Sequence, residues 1–341
     1  MSHARPIASH REAEERRLHG ARPGAEPRSS ESALRYDPRP LRVAVVIGVL
    51  FVMAPGSFFG ATLLWTLGGG GALTAALPLV PASTHAMLQL AGGFMTFIWA
   101  FLAFGVPHLL GFDLVRARRI LGPIAVLAVA LVLDVVAALV GLTALTPFAR
   151  VTGALGAFLG IAVLVDARRV MARDKRLALL TAPLPILVLA LALYPIAWVV
   201  YALEASGAVP DGVAADTLLF LVVTPVILSM GWKMFSAMLQ LDAGDPRRFF
   251  AASACWILGG ALVVTSHWRQ LLAPFAAIPL VIGAALWLAS LHGLQRRRGG
   301  LALVATSGND LRAHVVVGAC CLVASPILWL CAGIMRSAAL V

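Results

Sequence analysis

An all-α bundle of transmembrane helices is the fold class that this sequence predicts. Sixty per cent of its residues are hydrophobic and 13% are charged, and the mean hydropathy is +0.90, which lies far outside the range of soluble globular proteins. The apolar residues fall into about nine runs of roughly 20 or more residues, the length that a bilayer core requires. We therefore expect a polytopic membrane protein whose helices contact lipid.

Two regions are predicted along the chain. Residues 1–41 are rich in Arg, Glu, Pro and Ser and contain too few apolar residues to pack, so we expect a disordered basic tail. Residues 42–341 form the transmembrane domain. Its first apolar run is longer than the core of a signal peptide and is expected to stay as a membrane anchor. The nine predicted spans are 43–67, 84–106, 120–146, 151–170, 177–203, 215–240, 249–266, 271–293 and 314–336.

The charges between the spans predict the orientation. With a cytoplasmic tail, 23 of the 27 Lys and Arg residues lie in the tail or in inner loops, and Lys233 lies within a span. Only Arg150, Arg269 and Arg336 fall on the outer side. This distribution follows the positive-inside rule and predicts a cytoplasmic N terminus. Because the basic residues serve topology in this interpretation, no nucleic-acid partner is expected.

Several classes of chemistry have little support in the sequence. No HExxH, GxSxG or Walker motif occurs in a suitable context. The four cysteines fall inside apolar spans and no CxxCH motif is present, which excludes covalently attached c-type haem. The cysteines are Cys255, Cys320, Cys321 and Cys331.

Histidines at the ends of the spans are the principal candidate ligands. The predicted topology places His85 and His267 on the outer side, and His108, His292 and His314 on the inner side. An imidazole near a bilayer boundary can change protonation and can also bind a metal or haem iron. The competing interpretation is that these rings only contact lipid headgroups or backbone carbonyls. The histidines of the tail, His3, His10 and His19, have irregular spacing and are not expected to form a site.

The segment around His85 is the densest in polar and small residues. Gln89 follows His85 by four residues, so both project from one helical face. Gly92 and Gly93 allow a second helix or a flat macrocycle to approach closely. A b-type haem needs one or two neutral imidazoles in an apolar pocket, so haem b is a candidate cofactor. Copper is a second candidate, with His85 and His267 as its ligands. Met87 lies near His85, but packing is the more common role of a methionine in a helix.

Two charged residues are predicted inside the membrane. Asp134 lies near the middle of the third span, where an ionised carboxylate must be paired, hydrogen-bonded or exposed to a polar cavity. Lys233 lies in the sixth span, nearer the inner side. A direct pair between them would have to bridge a depth of about 10 Å at 1.5 Å per residue, which disfavours it. A structural contact and a proton path are equally compatible with Asp134.

The first two spans resemble the NnrS family, membrane proteins associated with haem, copper and bacterial nitric-oxide metabolism. The residues that carry the resemblance are Arg42 through Gly60 with Pro55, Phe58 and Phe59, then Trp65, Leu77-Pro78-Leu79, His85-Ala86, Gly93-Phe94, Pro107 and Gly111. Gly231-Trp232-Lys233 near Phe235 is a weaker match. The resemblance implies haem bound by histidine, a link to nitric oxide or another diatomic ligand, and a place in a bacterial inner membrane. The helix that His85 opens is also similar to subunit I of haem-copper oxidases, but the histidine pair of their copper centre is missing.

Three functions follow as hypotheses. The preferred one is an NnrS-like haem-binding protein of nitric-oxide metabolism or respiratory stress. The second is a cofactor-free transporter, or an accessory subunit of other membrane proteins, that uses Asp134, Lys233 and the histidines as a proton or metal path. The third is a structural membrane subunit. The sequence does not decide whether the protein is an enzyme.

Overall fold

The computed structural model describes residues 39–67, 81–105, 117–169, 183–238 and 244–291. Within these ranges the chain is helical and contains no strand, so the all-α prediction is confirmed for them. Residues 1–38 of the predicted tail, the ninth span and the histidines His108, His292 and His314 lie outside the described residues, whereas the last three residues of the predicted tail, 39–41, are already helical.

Eight helical segments follow one another, and we number them α1 to α8. The first four are α1 (Arg39–Phe51 and Ser57–Leu67, joined by the π-helical turn Val52–Gly56), α2 (Ala82–Met87, Leu88–Met95, Thr96–Ala100 and Phe101–Gly105), α3 (Leu121–Val140, after the 3₁₀ turn Ala117–Ile120) and α4 (Leu145–Arg169). The last four are α5 (Leu184–Ala205), α6 (Val213–Asp216, Thr217–Val223 and Thr224–Met238), α7 (Pro246–Ser266) and α8 (Ala273–Ser290, after Gln270–Leu272).

Seven of the described helices, α2 to α8, are long and apolar enough to cross a membrane. They correspond to the predicted spans two to eight, which makes the chain a multi-pass membrane protein. The first predicted span coincides with α1, which is not among the seven. The total of nine spans and the cytoplasmic N terminus stay predictions.

The turn between α3 and α4 lies six residues earlier in the chain than the sequence predicts. Helix α3 ends at Val140 because Gly141 adopts a left-handed conformation with φ of 72°, the usual way in which glycine stops a helix. Helix α4 then begins at Leu145, six residues before the predicted start of the fourth span. Arg150, predicted in an outer loop, therefore lies one and a half turns inside a helix.

Aromatic side chains and glycines fill the centre of the bundle. Trp99, Tyr194 and Trp198 are fully buried, and the first two rings pack edge to face with centroids 5.4 Å apart. Gly153 and Gly160 of α4 lie directly against these rings, since a Cβ at either position would overlap Trp198 or Trp99 respectively. Small residues at such contacts allow membrane helices to approach closely.

A second apolar core joins α6, α7 and α8. Trp232, Phe249, Trp256 and Trp287 are its large members, and the Trp287 indole donates a hydrogen bond to the Leu228 carbonyl at 3.1 Å. This contact ties α8 to α6 inside the bundle.

Three π-helical stretches meet in the first core. They are Val52–Gly56 in α1, Leu88–Met95 in α2 and Thr217–Val223 in α6, and the stretch of α2 contacts both of the others. The turn in α1 contains Pro55, which cannot donate a backbone hydrogen bond and so interrupts the α-helical ladder. Because π-helical turns are frequent at functional sites, the residues beside this junction are candidates for such a site.

Candidate functional site

An ion pair between α3 and α4 is buried in the bundle. The Arg150 Nε donates to Asp134 Oδ1 at 3.1 Å, and the two side chains are only 7% and 2% exposed. Asp134 precedes the end of α3 by six residues and Arg150 follows the start of α4 by five. At 1.5 Å per residue they lie about 9 Å and about 7.5 Å from the turn, so they face each other across the hairpin. Asp134 is thus nearer to one end of its helix than predicted.

Two hydroxyl groups complete the coordination of the Asp134 carboxylate. The Tyr201 phenol donates to Asp134 Oδ2 at 2.6 Å. Thr84 Oγ1 lies 3.3 Å from the same oxygen and 3.0 Å from the Tyr201 hydroxyl. These contacts bring together α2, α3, α4 and α5 at one carboxylate. A buried charge that is paired and hydrogen-bonded in this way avoids most of the cost of an isolated one.

Arg150 also binds the backbone and ring of Tyr201. Its Nη1 donates to the Tyr201 carbonyl at 2.8 Å, and its guanidinium carbon lies 3.6 Å from the centroid of the Tyr201 ring. This stacking adds a cation–π contact to the ion pair. We call Thr84, Asp134, Arg150 and Tyr201 the buried network. The side chain of Lys233, the other charged residue predicted in the membrane, lies outside the described part of the structure.

His85 directly follows Thr84 in the first turn of α2 and packs against α1. A Cβ added to Gly60 would lie 2.8 Å from His85 Cε1, and one added to Gly56 would lie 3.2 Å from Gln89 Cγ. The two side chains thus lie along the glycine-bearing surface of α1, and the His85 ring also interacts with the backbone of Gly56. Its Nδ1 is buried and has no hydrogen-bond partner among the described residues.

His267 lies just beyond the end of α7 and forms a different contact. Its Nε2 is 2.8 Å from Asp216 Oδ2, in the first turn of α6. The hydrogen bond that His267 donates to the Asp216 carboxylate raises the pKa of His267. The negative charges of Asp216, Glu204 and Asp211 also raise it, and partial burial opposes them. Gly212, with a φ of 92°, lies beneath the ring, because a Cβ there would be 3.1 Å from His267 Cε1.

Glu204 at the end of α5 stabilises the beginning of α6. Its Oε1 accepts a hydrogen bond from the Ala214 amide at 2.6 Å, which satisfies one of the free N–H groups of that helix end. One end of the bundle contains the start of α2, the end of α3, the start of α4, the end of α5 with Glu204 and the end of α7 with His267. We call it the histidine end.

The contacts of the two histidines point to different roles. His267 uses Nε2 for Asp216, whereas His85 retains a buried nitrogen without a partner. In the described ranges no three or more His, Cys, Asp or Glu side chains form a group that could hold a metal ion. The predicted copper site therefore has no further ligands in this part of the chain. Its two-histidine ligand set stays a prediction.

Sequence reasoning missed most of the buried network. Thr84 and Tyr201 resemble ordinary polar residues of a membrane helix, and Arg150 was assigned to a loop. Asp134 and Arg150 lie at similar distances from the turn at Gly141, and recognising that glycine as the helix end is the signal that could have paired them.

Comparison with known proteins gives no match to a family model, a curated protein or a solved structure.

Proposed function

We propose that this protein is an NnrS-like membrane protein that binds haem through His85. The role that the resemblance suggests is nitric-oxide metabolism or respiratory stress in a bacterial inner membrane, with the histidine end facing outward. The observation that carries the proposal is the buried Nδ1 of His85, which has no partner among the described residues. Whether the haem only binds a diatomic ligand or also converts it is left open by the sequence.

The donor set at His85 fits haem better than copper. An imidazole can bind a metal through either ring nitrogen, and one axial imidazole is sufficient for haem iron. A copper ion would need additional ligands, and the described residues supply no group of three. When bound, haem would provide the iron that takes up a diatomic molecule. The chain itself would hold the axial nitrogen and exclude water with apolar side chains.

The local structure supports a site at this position. His85 lies next to the junction of the π-helical stretches of α1, α2 and α6, and such stretches are common at functional sites. Gly56 and Gly60 carry no side chains that would restrict the ring from the α1 side. The ring packs closely against Gly60, and the buried Nδ1 without a described partner is the feature that favours a ligand role.

The alternative of a transporter with a proton path is less well supported by the geometry. A proton-carrying carboxylate must alternate between its charged and neutral forms. Both oxygens of the Asp134 carboxylate are already engaged, Oδ1 by Arg150 at 3.1 Å and Oδ2 by Tyr201 at 2.6 Å. The buried network is better suited to joining helices than to carrying protons.

An optical spectrum of the purified protein tests the proposal. After expression with sufficient haem, we expect a Soret band that His85→Ala abolishes or strongly reduces. His267→Ala is the matched control, since it changes a histidine at the same end of the bundle that is already bound to Asp216. Variants of His3, His10 and His19 are expected to keep their haem. A wild-type protein without a Soret band would refute the proposal.

The inner histidines are tested in the same series. His108, His292 and His314 are candidates for a second axial ligand or a second haem, and we expect at least one of the three substitutions to reduce haem content. If only these variants lose haem and His85→Ala keeps it, the ligand assignment to His85 is wrong.

A further inference from the structure

The first turn of α2 is held from two sides. Thr84 lies at the buried network of α3, α4 and α5, whereas His85, the next residue, lies against Gly56 and Gly60 of α1. Successive residues of an α-helix point about 100° apart, as 3.6 residues per turn require. A fixed direction for Thr84 therefore also fixes the direction in which His85 leaves the helix.

The first turn of α2 is short and uncapped, and the buried Ser83 and Met87 hold it together with Thr84. The α-helical segment Ala82–Met87 has only six residues and continues directly into the π-helical stretch Leu88–Met95. No side chain caps its N terminus. A π-helical stretch turns by a smaller angle per residue than an α-helix, so the rotation of the first turn relative to the rest of α2 differs from that in a regular helix.

The buried network is a firm attachment for this purpose. The Asp134 carboxylate accepts from Arg150 and Tyr201, and the Arg150 guanidinium is itself fixed by the Tyr201 carbonyl and ring. Charge-assisted hydrogen bonds are shorter and stronger than neutral ones. Thr84 is only 2% exposed. Its hydroxyl thus lies beside two oxygens with fixed positions, Asp134 Oδ2 and the Tyr201 hydroxyl.

We propose that Thr84 and Tyr201 are positioning residues for His85, which set the direction of its ring through the first turn of α2. As a device for orienting a haem ligand, this role rests on the proposed function. The mechanical link between Thr84 and the His85 ring does not depend on haem.

Two substitutions at Thr84 separate positioning from packing. Thr84→Val keeps the shape and removes the hydroxyl, whereas Thr84→Ser keeps the hydroxyl and loses a methyl group. Tyr201→Phe removes the phenol hydroxyl and keeps the ring, and serves as the second test if Thr84→Val does not fold. Ser253→Ala is the matched control. In the described part of the chain the buried Ser253 hydroxyl donates to a carbonyl of its own helix, that of Phe249 at 2.9 Å.

The readout is the ¹⁵N NMR signal of the His85 ring in protein labelled at histidine and assigned with His85→Gln. We expect Thr84→Val and Tyr201→Phe to shift this signal by more than its line width, and Thr84→Ser and Ser253→Ala to leave it in place. In haem-loaded protein the first two variants should also shift the Soret maximum. An unchanged His85 signal in folded Thr84→Val or folded Tyr201→Phe would overturn the inference.

The two proposals fail in distinguishable ways. If the wild-type protein binds no haem but Thr84→Val shifts the His85 signal, the positioning role stands and the haem proposal fails. If haem binds and neither the ring signal nor the Soret maximum responds to the hydroxyl groups, the haem proposal stands and the positioning role is refuted.

Discussion

Removal of one charge from the buried ion pair should be the most damaging polar substitution in the described structure. Asp134→Leu leaves the Arg150 guanidinium, 7% exposed, without its carboxylate partner. An uncompensated buried charge costs about 3–5 kcal/mol. Hydrogen bonds between membrane helices contribute only about 0.6 kcal/mol each, so the loss of the Tyr201 and Thr84 contacts is a minor part of the effect. We therefore expect Asp134→Leu to destabilise the protein by about 3–5 kcal/mol.

A double-mutant cycle measures how much of this effect belongs to the pair. Arg150→Met removes the remaining charge. The double variant should therefore lose less free energy of unfolding than the two single variants lose together, by about 2 kcal/mol or more. Arg119 and Asp166 form the matched control pair at 3.5 Å, with side chains 58% and 43% exposed. For exposed pairs a coupling of about 0.5 kcal/mol is expected.

Reversible unfolding in mixed detergent micelles is the assay. The cycle is run on the buried and the exposed pair under identical conditions. The reasoning is refuted if Asp134→Leu costs less than about 1 kcal/mol, the range of an exposed pair. It is equally refuted if both cycles give the same coupling.

Two further substitutions test the packing and the histidine end. Gly160→Ala should destabilise the protein by about 1–3 kcal/mol, because the added methyl group must displace the buried Trp99 ring. Gly122→Ala is the control, since its Cβ would meet nothing within 4 Å. It should be neutral or slightly stabilising in the same unfolding assay. The raised pKa of His267 predicts a stability contribution that is fully present below the ordinary value of 6.5 and is lost as the pH rises through the folded-state pKa. The difference in melting temperature between wild type and His267→Ala should therefore be largest at acidic pH and shrink towards alkaline pH, whereas a difference independent of pH would contradict the role of the contact with Asp216.

The general architecture was accessible from the sequence because hydropathy reports membrane-crossing helices directly. Eight predicted spans have counterparts among the described helices, and seven of these helices are long and apolar enough to cross a membrane, since a run of about 20 apolar residues has few other stable structures in a bilayer. Helix boundaries were less accessible. The third span was predicted to continue to residue 146, but the left-handed Gly141 ends α3 earlier, and hydropathy does not register backbone conformation.

The buried network was not predicted, for a related physical reason. A hydropathy profile treats Arg150 as the end of an apolar run, because a charged residue alone in lipid is expensive. Its cost is offset by Asp134, which is 16 residues earlier in the chain and lies opposite only after the hairpin has formed. Tyr201 is still more distant in sequence, 67 residues from Asp134. Pairings of this kind depend on helix register and rotation, which a single sequence specifies only weakly.

The histidines show how position and role differ. Sequence reasoning located His85 and His267 at helix ends and grouped them as one outer pair. In the structure His267 bonds Asp216 through Nε2. His85 packs beside the glycines of α1, and its Nδ1 has no partner among the described residues. Similar positions along the chain thus have different chemical surroundings, and the proposed ligand role falls to His85 alone of the two.

Replacement of the His85 ring by free imidazole tests the central proposal most directly. His85→Gly removes the proposed ligand and leaves space for a small molecule beside Gly60. We expect haem-replete wild-type protein to show a Soret band, His85→Gly to lose it, and added imidazole to restore it at the wild-type position. His85→Gly with a full, unshifted Soret band before imidazole is added would contradict the assignment of His85 as the haem ligand.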